Sequence, residues 1–179
     1  RAHGAHMHGI QAWVALPNEA EECAPSFTHY AGAAQLPEFA EGGVQGRLIA
    51  GASAGMQAGV QTHSPLFYWH WQMQAGSRRS LAAEYSERAV YVAQGEVEIA
   101  GQKLGAGQML VLPAAGTVDI RAVQNSTVML LGGEPVGERF IDWNFLSSSK
   151  ERLAQARADW QAGRMKLPVG DTEEFIPLP

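Results

Sequence analysis

Cysteine is nearly missing from this sequence. Cys23 is the single thiol among 179 residues, so no disulfide can form within the chain and nothing points to an oxidising compartment. Positive charge is also short. Lys and Arg number 13 against 18 Asp and Glu, a formal net charge of −5, and nucleic-acid binding is excluded for want of a basic stripe. No apolar run approaches the roughly 20 residues of a membrane-spanning helix, and no secretory signal pattern opens the chain. The expectation is a soluble, cytoplasmic protein with no nucleic-acid or membrane partner. Methionine is absent from the first position, where Arg1 stands, which implies a processed chain or a fragment of something longer. Against these shortages, hydrophobic residues make up 46% and charged residues 17%, a composition that folds rather than remains disordered. The length suits one ordinary domain with an appendage.

What is present is mostly strand. IQAWVAL (10–16) alternates imperfectly and is read as a strand ended by Pro17. The polar stretch 17–28 is read as a connection. RLIAGASAG (47–55) is a strand running into a loop; its glycines lack the Lys-Ser/Thr of a phosphate loop and are read as a turn. LFYWHWQM (66–73) alternates cleanly, with Phe67, Trp69, Trp71 and Met73 on one face and Tyr68, His70 and Gln72 on the other. Two or three strands are expected over 89–113, with turns at Gln94-Gly95, Gly101 and Gly105–Gly107, and further strands at 117–123 and 126–135. Many short strands at close spacing imply a sandwich or barrel. The pattern then changes to a helix over 147–168, with a capping box at Ser148 and Glu151, an inner stripe of Leu153, Ala156 and Trp160, and a stop at Gly163. The proline-rich end reads as an extended tail docking through Phe175, Ile176 and Leu178.

Between Gly76 and Gly116 the spacing resembles the two cupin motifs, which belong to double-sheet jelly rolls. The first motif is Gly, five residues, His-x-His, three or four residues, Glu, six residues, Gly. Here Gly76, SRRSL and Gly95 keep the frame, but the histidine positions hold Ala82 and Glu84, and the glutamate position holds Arg88. The second motif keeps Gly107 and Pro113, with its glycine one place late at Gly116. Its histidine position falls on Val118 or Asp119. Glycine and proline shape turns, whereas the ligand positions must offer lone pairs, which alanine, valine and a guanidinium cannot. No transition metal is expected in this barrel. Glu84 and Asp119 leave two carboxylates, one of which Arg88 is expected to pair with.

Three further stretches, HGIQAWVALP, QTHSPLFYWHWQM and RFIDWNFLSSSKERLAQARADWQAGRM with the tail LPVGDTEEFIPLP, resemble the pirin family of bicupins over essentially the whole chain. The resemblance implies an all-β fold: a cupin jelly-roll barrel with a C-terminal α-helix and tail. It divides the chain into the last strand of a first barrel plus linker (1–24), a second barrel without metal ligands (25–140), and the helix and docking tail (141–179). It places the metal, iron or another divalent ion, in the first barrel on three histidines and a glutamate, in segments this chain does not contain. It implies a missing N-terminal cupin half of roughly one hundred residues as partner, a flavonoid-like small molecule as ligand, and for the complete protein a quercetinase-type dioxygenase or a metal-linked regulatory module. A chain lacking that half is expected to expose an apolar edge at 10–16 and to associate.

The remaining candidates have ordinary readings. His3, His6 and His8 could chelate a metal adventitiously; they are read as solvated terminal histidines plus one at a strand start. His63 lacks a visible nucleophile, with Cys23 in a loop, and His70 is read as structural. The aromatic face of 67–71 is read as packing. Lys150, Glu151, Arg152, Arg157 and Asp159 are read as the solvated face of the helix. Catalytic residues are not identifiable from the sequence.

Overall fold

The computed structural model describes residues 9–30, 36–167, 170 and 176–179. His3, His6, His8 and Phe175 lie outside them. The chain divides into two compact units. One comprises Cys23–Pro135; the other combines the residues up to Glu22 with Val136–Pro179.

The first unit is a two-sheet β-structure. Its larger sheet has the order β1 (Glu38–Glu41), β2 (Val44–Ser53), β4 (Leu66–Met73), β11 (Ser126–Gly133), β6 (Glu87–Gln94), β9 (Met109–Val111), with the short β3 (Met56–Gln57) on β2. The smaller sheet runs β5 (Arg78–Leu81), β10 (Val118–Ala122), β7 (Glu96–Ile99), β8 (Gln102–Gly105). Ladders throughout are antiparallel. The alternation of β4 decides the core. Phe67, Trp69, Trp71 and Met73 are all buried and meet Val90, Val92, Val128 and Leu130 from their own sheet and Leu81, Val97, Ile99 and Ile120 from the other. The aromatic face is therefore packing, with Phe39 set edge-on to Trp69 and Trp71. Where two or three strands were expected over 89–113 there are four, β6 to β9, because the turns at Gly95, Gly101 and Gly107 each cut the run.

GASAG proves to be strand end and turn. Gly51 sits in β2 with φ +75°, just after a register shift, and a Cβ there would lie 1.8 Å from the Leu66 carbonyl oxygen. Only glycine lets β2 and the start of β4 come this close.

In the second unit the strand expected at 10–16 does not form. Residues 9–17 have no ladder partner among the described residues, and a strand exists only where a neighbour takes its backbone hydrogen bonds. Ile10, Trp13 and Val14 are exposed. A hairpin of β12 (Phe140–Asp142) and β13 (Phe145–Ser147) leads into α1 (Lys150–Gln161). This helix is shorter than expected, and its N-cap is Ser149, not Ser148. The Ser149 hydroxyl accepts from the Arg152 N–H at 3.2 Å and donates to the Glu151 carboxylate at 2.9 Å. Ser148 is occupied elsewhere: its N–H and hydroxyl both donate to Glu21, each at 2.9 Å. Arg139 completes this nearly buried group, with its Nε 2.7 Å from Glu21 Oε1 and its Nη2 2.8 Å from the Leu16 carbonyl. At the other end Gly163, φ +65°, turns the chain; its N–H and that of Arg164 donate back to Trp160 and Asp159 as the stop signal predicts. Leu153 and Ala156 are buried, and the half-buried Trp160 ring lies 5.5 Å from Trp143. Of the described tail residues expected to dock, Leu178 is partly buried and Ile176 is exposed, and Trp160 Nε1 donates to the Ile176 carbonyl at 3.0 Å.

Gly51→Ala should destabilise the chain by about 2–4 kcal/mol, since it combines a left-handed φ with a backbone collision. A urea unfolding midpoint unchanged from wild type would contradict this packing.

Candidate functional site

The two cupin-motif segments meet around Arg88. Its residue is only 2% exposed, which for a guanidinium demands compensation. The compensation comes from backbone. Nη1 donates to the Ala82 carbonyl at 3.0 Å; Nη2 donates to Pro113 at 2.6 Å and to Gly116 at 3.0 Å. The expected pairing with a carboxylate does not occur. Arg88 makes no ion pair among the described residues, because turns from both motifs present carbonyl oxygens to it first. Nε remains without a partner.

The two carboxylates face other tasks. Glu84 accepts from the Ser53 hydroxyl at 2.5 Å and from the Ala54 N–H at 2.8 Å, holding the β2–β3 turn, where Ala54 has φ +52°. Asp119 accepts from Ser80 and Arg78 on the surface of the smaller sheet. The Ser80 hydroxyl first, and then the Arg78 guanidinium, hold its carboxyl below the usual range. Val118 offers no lone pair. These residues do not fit a transition metal: no group of three or more His, Cys, Asp or Glu converges among the described residues, and a fixed cation lies at the position of the motif's glutamate.

His63 is exposed and makes no hydrogen bond among the described residues, and Cys23 is an exposed free thiol. His70 lies on the outer face of the larger sheet, between Arg47 on β2 and Met129 on β11. Burial first, and the Arg47 cation second, push its pKa below the ordinary 6.5. The charges of α1, read as a solvated face, are accessible but engaged. Arg152 Nε meets Glu22 at 2.6 Å, Arg157 meets Asp142 at 2.9 Å, and Lys150 lies over the Phe140 ring at 4.7 Å.

Residues 68–166 match the pirin C-terminal cupin domain. The chain belongs to the pirin family. A pirin-like protein of Caulobacter vibrioides is 58% identical over 100% of this chain, which spans 62% of that relative. A protein of Pseudomonas aeruginosa named as a putative quercetin 2,3-dioxygenase is 33% identical over 88% of the chain and 50% of its own length. Among solved structures, a quercetin 2,3-dioxygenase of Acinetobacter baumannii superposes with a TM-score of 0.78 at 25% identity, covering 85% of this chain and 55% of that one. The cupin jelly roll with a C-terminal helix is thus the fold, and the chain spans half to three-fifths of the relatives it matches. The cupin framework was legible in the glycine and proline spacing, and the pirin family in the resemblance of the three flanking stretches. The destination of the Arg88 guanidinium was not, because its acceptors are main-chain atoms that no motif names.

Arg88→Met keeps the volume but leaves the three carbonyls unsatisfied. It should cost about 3 kcal/mol, read as a lowered unfolding midpoint, with Arg88→Lys falling between; a wild-type midpoint for Met would contradict the role given to the guanidinium. For His70, the folded chain resists a proton that the unfolded chain accepts. Its contribution is complete above pH 6.5 and declines as pH falls below that value, until the folded-state pKa is passed. His70→Gln should flatten the fall in stability just below pH 6.5; denaturation curves with an unchanged pH slope would count against it.

Proposed function

We propose that this chain is the C-terminal portion of a pirin-like bicupin whose complete form is a metal-dependent, quercetinase-type dioxygenase. The observation that carries the reading is the coverage: the chain aligns over its whole length with a relative of which it spans 62%, and over 88% with a putative quercetin 2,3-dioxygenase of which it spans 50%. The exposed Ile10, Trp13 and Val14, on a segment with no ladder partner among the described residues, supply the apolar edge that a preceding barrel would cover.

In this reading iron, or another divalent ion, belongs to a first barrel formed by residues outside this chain; when bound it would activate oxygen or the flavonol. The described residues have a supporting part. Arg88 ties the two motif turns together and keeps them closed, and the core of β4 and β11 gives the larger sheet a rigid frame. The N-terminal segment is clamped to its own unit by the Glu21–Arg139 pair, so any barrel continuous with residues 9–16 would be held at that clamp.

The complete protein, loaded with iron and supplied with quercetin, should consume oxygen well above the same concentration of free iron, while residues 1–179 alone should not. Oxygen uptake by the complete protein no faster than free metal would sink the enzyme reading and leave a regulatory module.

A further inference from the structure

The outer face of the larger sheet ends in a cleft of about 370 Å³ that the Arg88 region does not share. It is lined by Gln45, Gln72, Gln74, Gln94, Asn125 and Thr127, over a floor that includes Met73 and Ser126. The ladder registers place Gln45 opposite Gln72, Gln72 opposite Thr127, and Thr127 opposite Gln94. A single row of neutral hydrogen-bonding side chains therefore crosses four adjacent strands, β2, β4, β11 and β6. None of the four glutamine side chains makes a hydrogen bond within the described residues. By contrast, two neighbouring groups are fixed: Asn125 Oδ1 accepts from the Ala75 N–H at 2.9 Å, and the Ser126 hydroxyl bonds Glu96 and Gln124. The cleft has a rigid rim and floor and a free, uncharged row of amides.

From this geometry we propose that the cleft is a binding site for a neutral saccharide. Each amide offers two donors and one acceptor oxygen, the complement of vicinal hydroxyls, and no lining residue carries a charge that would select an ion. The spacing favours a sugar over a peptide. Adjacent strands are about 4.8 Å apart, close to the span of a pyranose ring, whereas an extended peptide repeats its side-chain direction only every two residues, about 6.7 Å. In the next row on the same face, His70 and Tyr91 lie either side of the buried Met129 and present half-buried rings against which a sugar's C–H face can pack. This assignment does not depend on the dioxygenase reading, since the cleft contains none of the cupin-motif residues.

The test is a titration of the protein with cellotetraose, followed by chemical shifts of the glutamine side-chain NH₂ groups. Saturable shifts at Gln45, Gln72 and Gln94 with a dissociation constant of about 1 mM or tighter are expected. The double variant Gln72→Ala/Gln94→Ala should weaken binding at least tenfold while its unfolding midpoint stays that of wild type, because those amides support nothing internal. Absence of shifts at any soluble sugar concentration would overturn the proposal. So would tighter binding of polygalacturonate, which would make it an anion site, or saturable shifts with an extended glutamine-rich peptide and none with the sugar.

Discussion

A guanidinium buried among carbonyl oxygens is the constraint on which the barrel's motif region depends. Arg88 lies on β6 with almost no solvent contact, yet its charge is met by the main chain of two turns: Ala82 on one side, Pro113 and Gly116 on the other. In water each of those donors would be satisfied freely; in the fold they must be matched one by one, and each charge-assisted bond contributes about 1.5–3 kcal/mol. The consequence is that the two segments a cupin would join through a metal are here joined by a side chain. Divalent metals bind by gathering lone pairs from side chains. A guanidinium gathers lone pairs from backbone, so the surrounding side chains need no chemistry at all. Ala82 and Val118 are then unremarkable residues in a site whose cation is already covalently attached.

That substitution releases the remaining acids for other work. Glu84 holds the β2–β3 turn through Ser53 and Ala54, and Asp119 closes a surface pair with Arg78 across β5 and β10. The same economy governs the other unit, where Glu21 gathers Arg139 and Ser148 and so binds the N-terminal segment to the hairpin and helix. A single carboxylate with several donors is well satisfied when nearly buried, and breaking any one partner would strand the rest.

How much was visible in the sequence depended on how local its cause was. The 66–73 strand was legible to the residue, because its period of two and its aromatic face are both local. The glycine stop of the helix was legible for the same reason. The helix start was not. Ser147, Ser148 and Ser149 could each cap, and the choice is made by Glu21, 127 residues away, which engages Ser148 and leaves Ser149 for Arg152. Residues 10–16 have a strand's composition but form no ladder among the described residues, since pairing needs a neighbour that composition does not reveal. The emptied motif could be read directly, but the partners of Arg88 are main-chain atoms, one six residues back and two others 25 and 28 residues further on. The amide row was invisible for a similar reason. Four residues with no shared motif become one feature only once the registers of β2, β4, β11 and β6 bring them into line.

The central claim is that Arg88 takes the part a metal would play in this barrel. Anomalous diffraction from crystals grown with nickel(II) tests it most directly. The account predicts no anomalous peak among residues 82, 84, 88 and 119, and a guanidinium seated on the carbonyls of Ala82, Pro113 and Gly116. A metal peak inside that ring, with Arg88 swung away from the three oxygens, would contradict it.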